Sequence, residues 1–296
     1  MHAPSLGRLR LPAVALILVG SMSACTSSGA TPAAPTPTPW PSVVALPAIL
    51  PDEMTYAQML PLFSYNGGQP LNVTVASTQV ATSKDHATAT VKDITYIGAA
   101  GDTIEAYLIL PEGSGPFPAV LFEHWSIGSR EDFLPEAIIL AQRHHIAGIV
   151  PTRPTLTDGE DRSEMVLQVR EMRRALDLLE AQPEVDRTRL GFVGHSLGAI
   201  YGTSLLAVDT RIKTAALMAV LPYDLYDDIT APHVTVPSIL LQFGTQDDLY
   251  TKETAESFAA LIPAKKKVTW YDYEHSLGPD ATAERETWLT QKLGAK

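Results

Sequence analysis

The chain has 296 residues, 45% hydrophobic and 19% charged, enough to close one large domain around a substantial core. Its formal net charge is -11, and a surface of that sign repels phosphate backbones, which argues against nucleic acid as a partner. A single cysteine, Cys25, excludes an intrachain disulfide.

At the N-terminus, Arg8 and Arg10 precede the apolar run Leu11 to Val19, which is too short to span a bilayer. Small residues Ser21, Ser23 and Ala24 follow, directly before Cys25. This arrangement resembles a bacterial lipoprotein signal, with Met22-Ser23-Ala24-Cys25 as the lipobox and Met22 standing where the pattern favours leucine. The resemblance implies that residues 1–24 are a leader and that Cys25 is lipidated, so that the protein meets the membrane only through that anchor. An ordinary secretory signal with an incidental cysteine is the alternative, and either way the protein is exported. Residues 25–51 read as a tether. Thr26 to Pro41 is mostly Ser, Thr, Ala and Pro, which buries too little to fold and favours extended backbone. Residues 52–296 form the folded domain.

Within that domain a short helix is expected over Asp52 to Pro61, and Asn66-Gly67-Gly68 marks a turn. Val73 to Ser83 and Ala87 to Ile97 alternate and are rich in Thr and Val, as half-solvated antiparallel strands are. Thr103 to Leu110 is a third such run, and Ala119 to Glu123 is a continuous apolar strand of the kind found inside parallel sheets. Helical and strand patterns then alternate. Helices are expected over Phe133 to Arg143, Ser163 to Ala181, Lys252 to Leu261 and Ala281 to Leu293. Strands are expected over Ile146 to Val150, Arg189 to Val193, Ala215 to Val220, Ser238 to Phe243 and Lys267 to Tyr271. Antiparallel strands leading into repeated βα units make an α/β fold, an open and mostly parallel sheet with helices on both faces.

The stretch that carries chemistry is Gly194-His195-Ser196-Leu197-Gly198, with an apolar strand before it and a helix of small residues after it. Strand, G-x-S-x-G and helix make a nucleophile elbow, in which a strained serine projects above the sheet. A serine hydroxyl needs a base to take its proton, and the base needs an acid to fix its tautomer.

With the elbow placed, the order of elements from about Leu62 onward resembles the α/β-hydrolase superfamily, in its dienelactone-hydrolase-like and acetyl-esterase-like branch. Gly115-Pro116-Phe117-Pro118-Ala119-Val120, the elbow, and Gly244-Thr245-Gln246-Asp247 carry the resemblance. It implies Ser196 as nucleophile, Asp247 as acid (with Asp248 as runner-up) and His275, in the loop after the last strand, as base. It also implies an oxyanion hole from the amide of Leu197 and one from the loop His124-Trp125-Ser126, where Ser126 falls at the donor position. The usual glycine after the histidine is replaced there by Trp125, which is the alternative donor and a candidate wall of the acyl pocket. Among other polar residues, Glu123 reads as structural and satisfied by an arginine. Arg153 is either a substrate contact or a surface residue. His195 is expected to point away from the serine.

The segment from Val220 to Val236 is expected to form a short cap. No cofactor fingerprint or metal-ligand spacing appears. A serine esterase acting on a small-molecule ester is therefore expected. A peptidase of the prolyl-oligopeptidase kind is a variant, although that branch usually has tyrosine where this chain has Leu197. A non-catalytic surface-binding lipoprotein on the same scaffold is the reading from a different class.

Overall fold

The computed structural model describes residues 44, 46, 50, 51, 53–153, 162–221 and 227–295. The chain divides into two units, Met1–Pro39 and Trp40–Lys296. The expected leader, Cys25 and most of the tether lie outside the described residues, as does the part of the expected cap at 222–226. Val44, Leu46 and Leu50, at the end of the stretch read as tether, pack against the core of the second unit.

Helix α1 (Tyr56–Met59) starts at a capping box between Thr55 and Gln58 and tightens into a 3-10 turn over Leu60–Phe63. Strands β1 (Thr74–Thr82), β2 (Thr88–Ile97) and β3 (Thr103–Pro111) follow, then β4 (Phe117–Glu123), α2 (Leu134–His144), β5 (Ala147–Pro151) and α3 (Arg162–Glu180). The remaining elements are β6 (Val185–His195), α4 (Leu197–Val208), β7 (Ile212–Met218), a single turn α5 (Asp227–Thr230), a 3-10 turn (Ala231–His233), β8 (Ser238–Gly244), α6 (Lys252–Leu261), β9 (Lys265–Tyr271) and α7 (Pro279–Lys292).

Nine strands make one sheet in the order β1-β2-β3-β5-β4-β6-β7-β8-β9. β1, β2, β3 and β5 pair antiparallel in turn, and from β5 to β9 every pairing is parallel. The two-residue period of the central strands divides the core. Ala119 and Leu121, Leu190 and Phe192, and Ile239 and Leu241 face one cluster with α3, α4 and α6. Val120 and Phe122, Val193, and Leu240 face the other with α2 and α7. β1 departs from the half-solvated expectation, because eight of its nine residues are exposed and it contributes alternation without a core face.

Helix α3 ties the N-terminal segments down through arginines. Arg170 donates to the Leu62 and Val44 carbonyls, Arg173 to Phe63, and Arg174 to Ile97 and Gly67. The buried charges of Arg170 and Arg174 are tolerable because each guanidinium has two or more carbonyl acceptors, and Arg173, less buried, also pairs with Asp209.

The topology also places the site. The chain runs from β4 outward to β5 and then returns past β4 to β6, so the direction of winding reverses between β4 and β6. In open α/β sheets the crevice beyond the carboxyl ends of strands at such a reversal is where ligands bind.

Candidate active site

Ser196 sits at that crevice, immediately after β6, with φ 52° and ψ −119°. A non-glycine residue in this region is strained by roughly 1–3 kcal/mol and is held there by its surroundings. The Ser196 N–H donates to the Met218 carbonyl at 2.9 Å, and its own carbonyl accepts from the amides of Ala199 and Ile200. Both flanking glycines are required by close approach. A Cβ on Gly194 would lie 2.6 Å from the Gly198 carbonyl oxygen, and one on Gly198 would lie 2.4 Å from that of Glu123.

The expected acid and base, Asp247 and His275, follow β8 and β9. The loops after these strands are joined by Thr245 N–H to the Tyr271 carbonyl at 2.8 Å and Gln246 N–H to the Tyr273 carbonyl at 3.0 Å. His275 Nδ1 and Asp247 Oδ2 are 2.6 Å apart. The Asp247 side chain is fully buried, and its other oxygen accepts the Leu249 amide at 3.0 Å. With the carboxylate accepting at Nδ1, the His275 ring carries its proton there and presents Nε2 as a base. Asp248, the runner-up, is exposed to solvent.

His195, the residue before the serine, is buried and sits against His275. Its Nε2 donates to the His275 carbonyl at 2.9 Å, and the two rings are 5.1 Å apart. The Trp125 ring meets it edge-on at 5.3 Å. Burial pushes the His195 imidazole down to about 4, so it is neutral at physiological pH and keeps the Nε2 proton it donates.

The expected oxyanion loop follows β4, whose Glu123 pairs with Gly194 across the sheet. Neither the Ser126 amide nor the Leu197 amide has an acceptor among the described residues, and the same holds for Trp125. His124 is buried, with Nδ1 donating to the Trp125 carbonyl at 2.7 Å, and burial lowers its pKa first, the Arg153 charge second. Arg153 is neither a surface residue nor open to substrate, since its side chain is 1% exposed. It lies 3.5 Å from Glu123, a carboxyl that burial raises to about 7 despite that arginine. The remaining described histidines lie elsewhere. His233 stacks on Tyr56, His144 and His145 close α2, and His86 occupies a turn.

Sequence reasoning left two neighbours of the site unassigned, the His195 bond to the base loop and the Arg153 contacts to the oxyanion loop. Both are contacts between distant segments, 80 and 27–29 residues apart, with no motif spacing to announce them. A cleft of about 400 Å³ lined by Gly115, Phe117, His145 and Arg189 opens at the amino-terminal ends of β4 and β6 and contains none of these residues. Among the described residues no group of three or more His, Cys, Asp or Glu side chains is placed to hold a metal ion.

No family model matches the chain. It is 30% identical over 135 residues to polyketide transferase ATR5 of Stachybotrys chlorohalonatus (strain IBT 40285). That stretch is 44% of this chain and 44% of the relative, so the match spans less than half of the curated protein. Among solved structures, an acetyl xylan esterase from Paenibacillus sp. R4 superposes with a TM-score of 0.63 at 17% identity, covering 76% of this chain and 90% of that one. A cold-adapted esterase from an Arctic intertidal metagenomic library gives 0.62 at 19% identity, covering 72% and 97%. A puromycin-hydrolyzing peptidase of Mycobacterium tuberculosis gives 0.55 at 15% identity, covering 74% of this chain and 46% of its own. The sheet order, the reversal between β4 and β6 and these superpositions together make this an α/β-hydrolase fold.

Proposed function

We propose that the protein is a serine hydrolase that cleaves carboxylic esters through an acyl-enzyme. The observation that carries this reading is the 2.6 Å contact between His275 Nδ1 and a fully buried Asp247 carboxylate, on the two loops beside the elbow serine. An acid hidden from water and aimed at one ring nitrogen has a use in tautomer control, and a binding module has no need of it.

In this mechanism Ser196 Oγ attacks the ester carbonyl as His275 Nε2 takes its proton. The amides of Leu197 and Ser126 hold the oxyanion, and His275 returns the proton to the departing alcohol oxygen. Water then repeats the sequence on the acyl-enzyme and releases the acid. Trp125, packed on His195 and partly exposed, is placed to wall the acyl group. No cofactor enters any step.

The test is labelling with a fluorophosphonate, with the adduct mapped by peptide sequencing, alongside hydrolysis of nitrophenyl esters, acetylated sugars, lactones and prolyl amides. Capture at Ser196 with turnover of esters supports the reading. Capture with amide turnover alone moves the assignment to a peptidase, and a chain that neither labels nor turns over is a binder on a hydrolase scaffold. The same proposal places the enzyme at the bacterial envelope through lipid on Cys25, because each buried methylene of an acyl chain contributes about 0.8 kcal/mol. Recovery of the native protein in the aqueous phase of a detergent partition would contradict that anchor.

A further inference from the structure

The loop between β4 and α2 has no helix or strand of its own around residues 124–126, yet it must hold backbone donors within a few tenths of an ångström if it is to stabilise an oxyanion. Its fixed point is Arg153, which leaves the end of β5 and reaches under the loop. Nη1 donates to the His124 carbonyl at 3.0 Å; Nη2 donates to the carbonyl of Trp125 and, at 3.2 Å, to that of Ser126. Three successive carbonyls are gathered by one guanidinium.

Trans peptides point the N–H opposite to the C=O. The cis bond described in this chain is Gly115–Pro116, far from the loop. Drawing the Trp125 carbonyl to Arg153 therefore turns the Ser126 N–H the other way. The Trp125–Ser126 peptide is the most firmly held of the set, because its oxygen also accepts His124 Nδ1 and the Gly128 amide at 3.2 Å. The elbow helix packs directly on this loop, close enough that a Cβ on Gly198 would sit 2.6 Å from the His124 oxygen.

We propose that Arg153 is the positioning residue of the oxyanion hole, setting the direction of the Ser126 amide at Ser196 by holding the carbonyl at the other end of the Trp125–Ser126 peptide. The proposal rests on the esterase reading above and adds to it the group that sets the donor's direction. Three observations fit this role better than substrate binding or a simple ion pair. The side chain is 1% exposed, so substrate does not reach it. Its separation from Glu123, 3.5 Å, exceeds its separations from the loop carbonyls. Tyr201 of the elbow helix stands over the guanidinium, 5.7 Å from its central carbon, which ties the clamp to the element that carries the nucleophile. A lysine cannot substitute, because one ammonium point cannot serve carbonyls that a planar fork spans.

The test uses Arg153→Lys and Arg153→Gln in the full chain, with each preparation first titrated by a fluorophosphonate to count competent serines. A purely structural role lowers the titratable fraction and leaves kcat per titrated site unchanged. A positioning role lowers kcat per titrated site by about 10- to 100-fold with KM within about threefold, less than the loss from deleting a donor outright. The inhibition constant of a trifluoromethyl ketone, whose adduct carries the oxyanion, should rise by the same factor as kcat/KM falls. If neither single variant accumulates, Arg153→Gln/Glu123→Gln, which leaves no lone buried charge, is measured in the same way. Unchanged kcat per titrated site in the variants obtained overturns the proposal. A wild-type chain whose serine takes no label instead overturns the esterase reading on which the proposal stands.

Discussion

At the scale of single residues, the acid is where neighbouring carboxylates part company. Asp247 is buried and bonded to His275, whereas Asp248, one residue on, is exposed. Asp247→Asn keeps the shape but offers the ring a donor as readily as an acceptor, so His275 loses its fixed tautomer. The expected loss in kcat is about a thousandfold or more for Asp247→Asn and less than about threefold for Asp248→Asn. Steady-state ester kinetics on the two variants decide it, and the reverse ranking would transfer the role to Asp248. Ser196 is marked in the sequence by its flanking glycines between an apolar strand and a helix, whereas Asp247 and His275 follow from the family resemblance, and the structure brings those two within 2.6 Å of each other. Arg153 was not legible in the same way. Its partners are main-chain oxygens, which every residue possesses, so no residue type in the loop marks what the guanidinium will find.

At the scale of elements, β6 ends by handing two residues to the site with different tasks. Ser196 is half-buried, while His195 is buried and braces the loop that follows β9. That bracing carries a pH signature. The folded His195 stays neutral down to about 4, whereas the unfolded imidazole takes up its proton near 6.5. The folded state is therefore fully favoured above pH 6.5, and stability is lost as pH falls from 6.5 toward 4, by about 3 kcal/mol at the lower end. His195→Gln keeps a donor of similar reach without a titrating group. Urea unfolding at pH 7 and pH 4.5 should show a smaller acid loss in His195→Gln than in the wild type. Equal losses would show that other groups account for the acid sensitivity. Strand and helix types were readable from periodicity. The exposure of β1 was not, because alternation of Thr and Val looks the same whether or not a helix covers one face.

At the scale of the whole molecule, the sequence pointed to a mostly parallel sheet with antiparallel strands at its start, and the sheet has that form. What it could not supply was the position of β5 outside β4, since a crossover of given length can pass in either direction along a sheet. That position creates the reversal at which Ser196, the loop after β4 and the end of β7 meet in the middle of the sheet. His275 has a different standing. It follows β9, the last strand of the order, which is hydrogen-bonded to β8 alone and whose first four residues are exposed. The proposed nucleophile and base thus differ in how firmly the fold holds them, and edges open at lower free energy than centres. Partial opening of β9 would carry His275 away from Asp247 while leaving the elbow and most of the backbone intact. In a urea titration, ester turnover should accordingly disappear at a lower concentration than the far-UV dichroism, and return on dilution within the dead time of manual mixing. Coincident curves would mean that the edge and the centre unfold as one unit. The reserve between working and unfolding conditions is then smaller for the proposed activity than for the fold, and it is set by the grip of one strand.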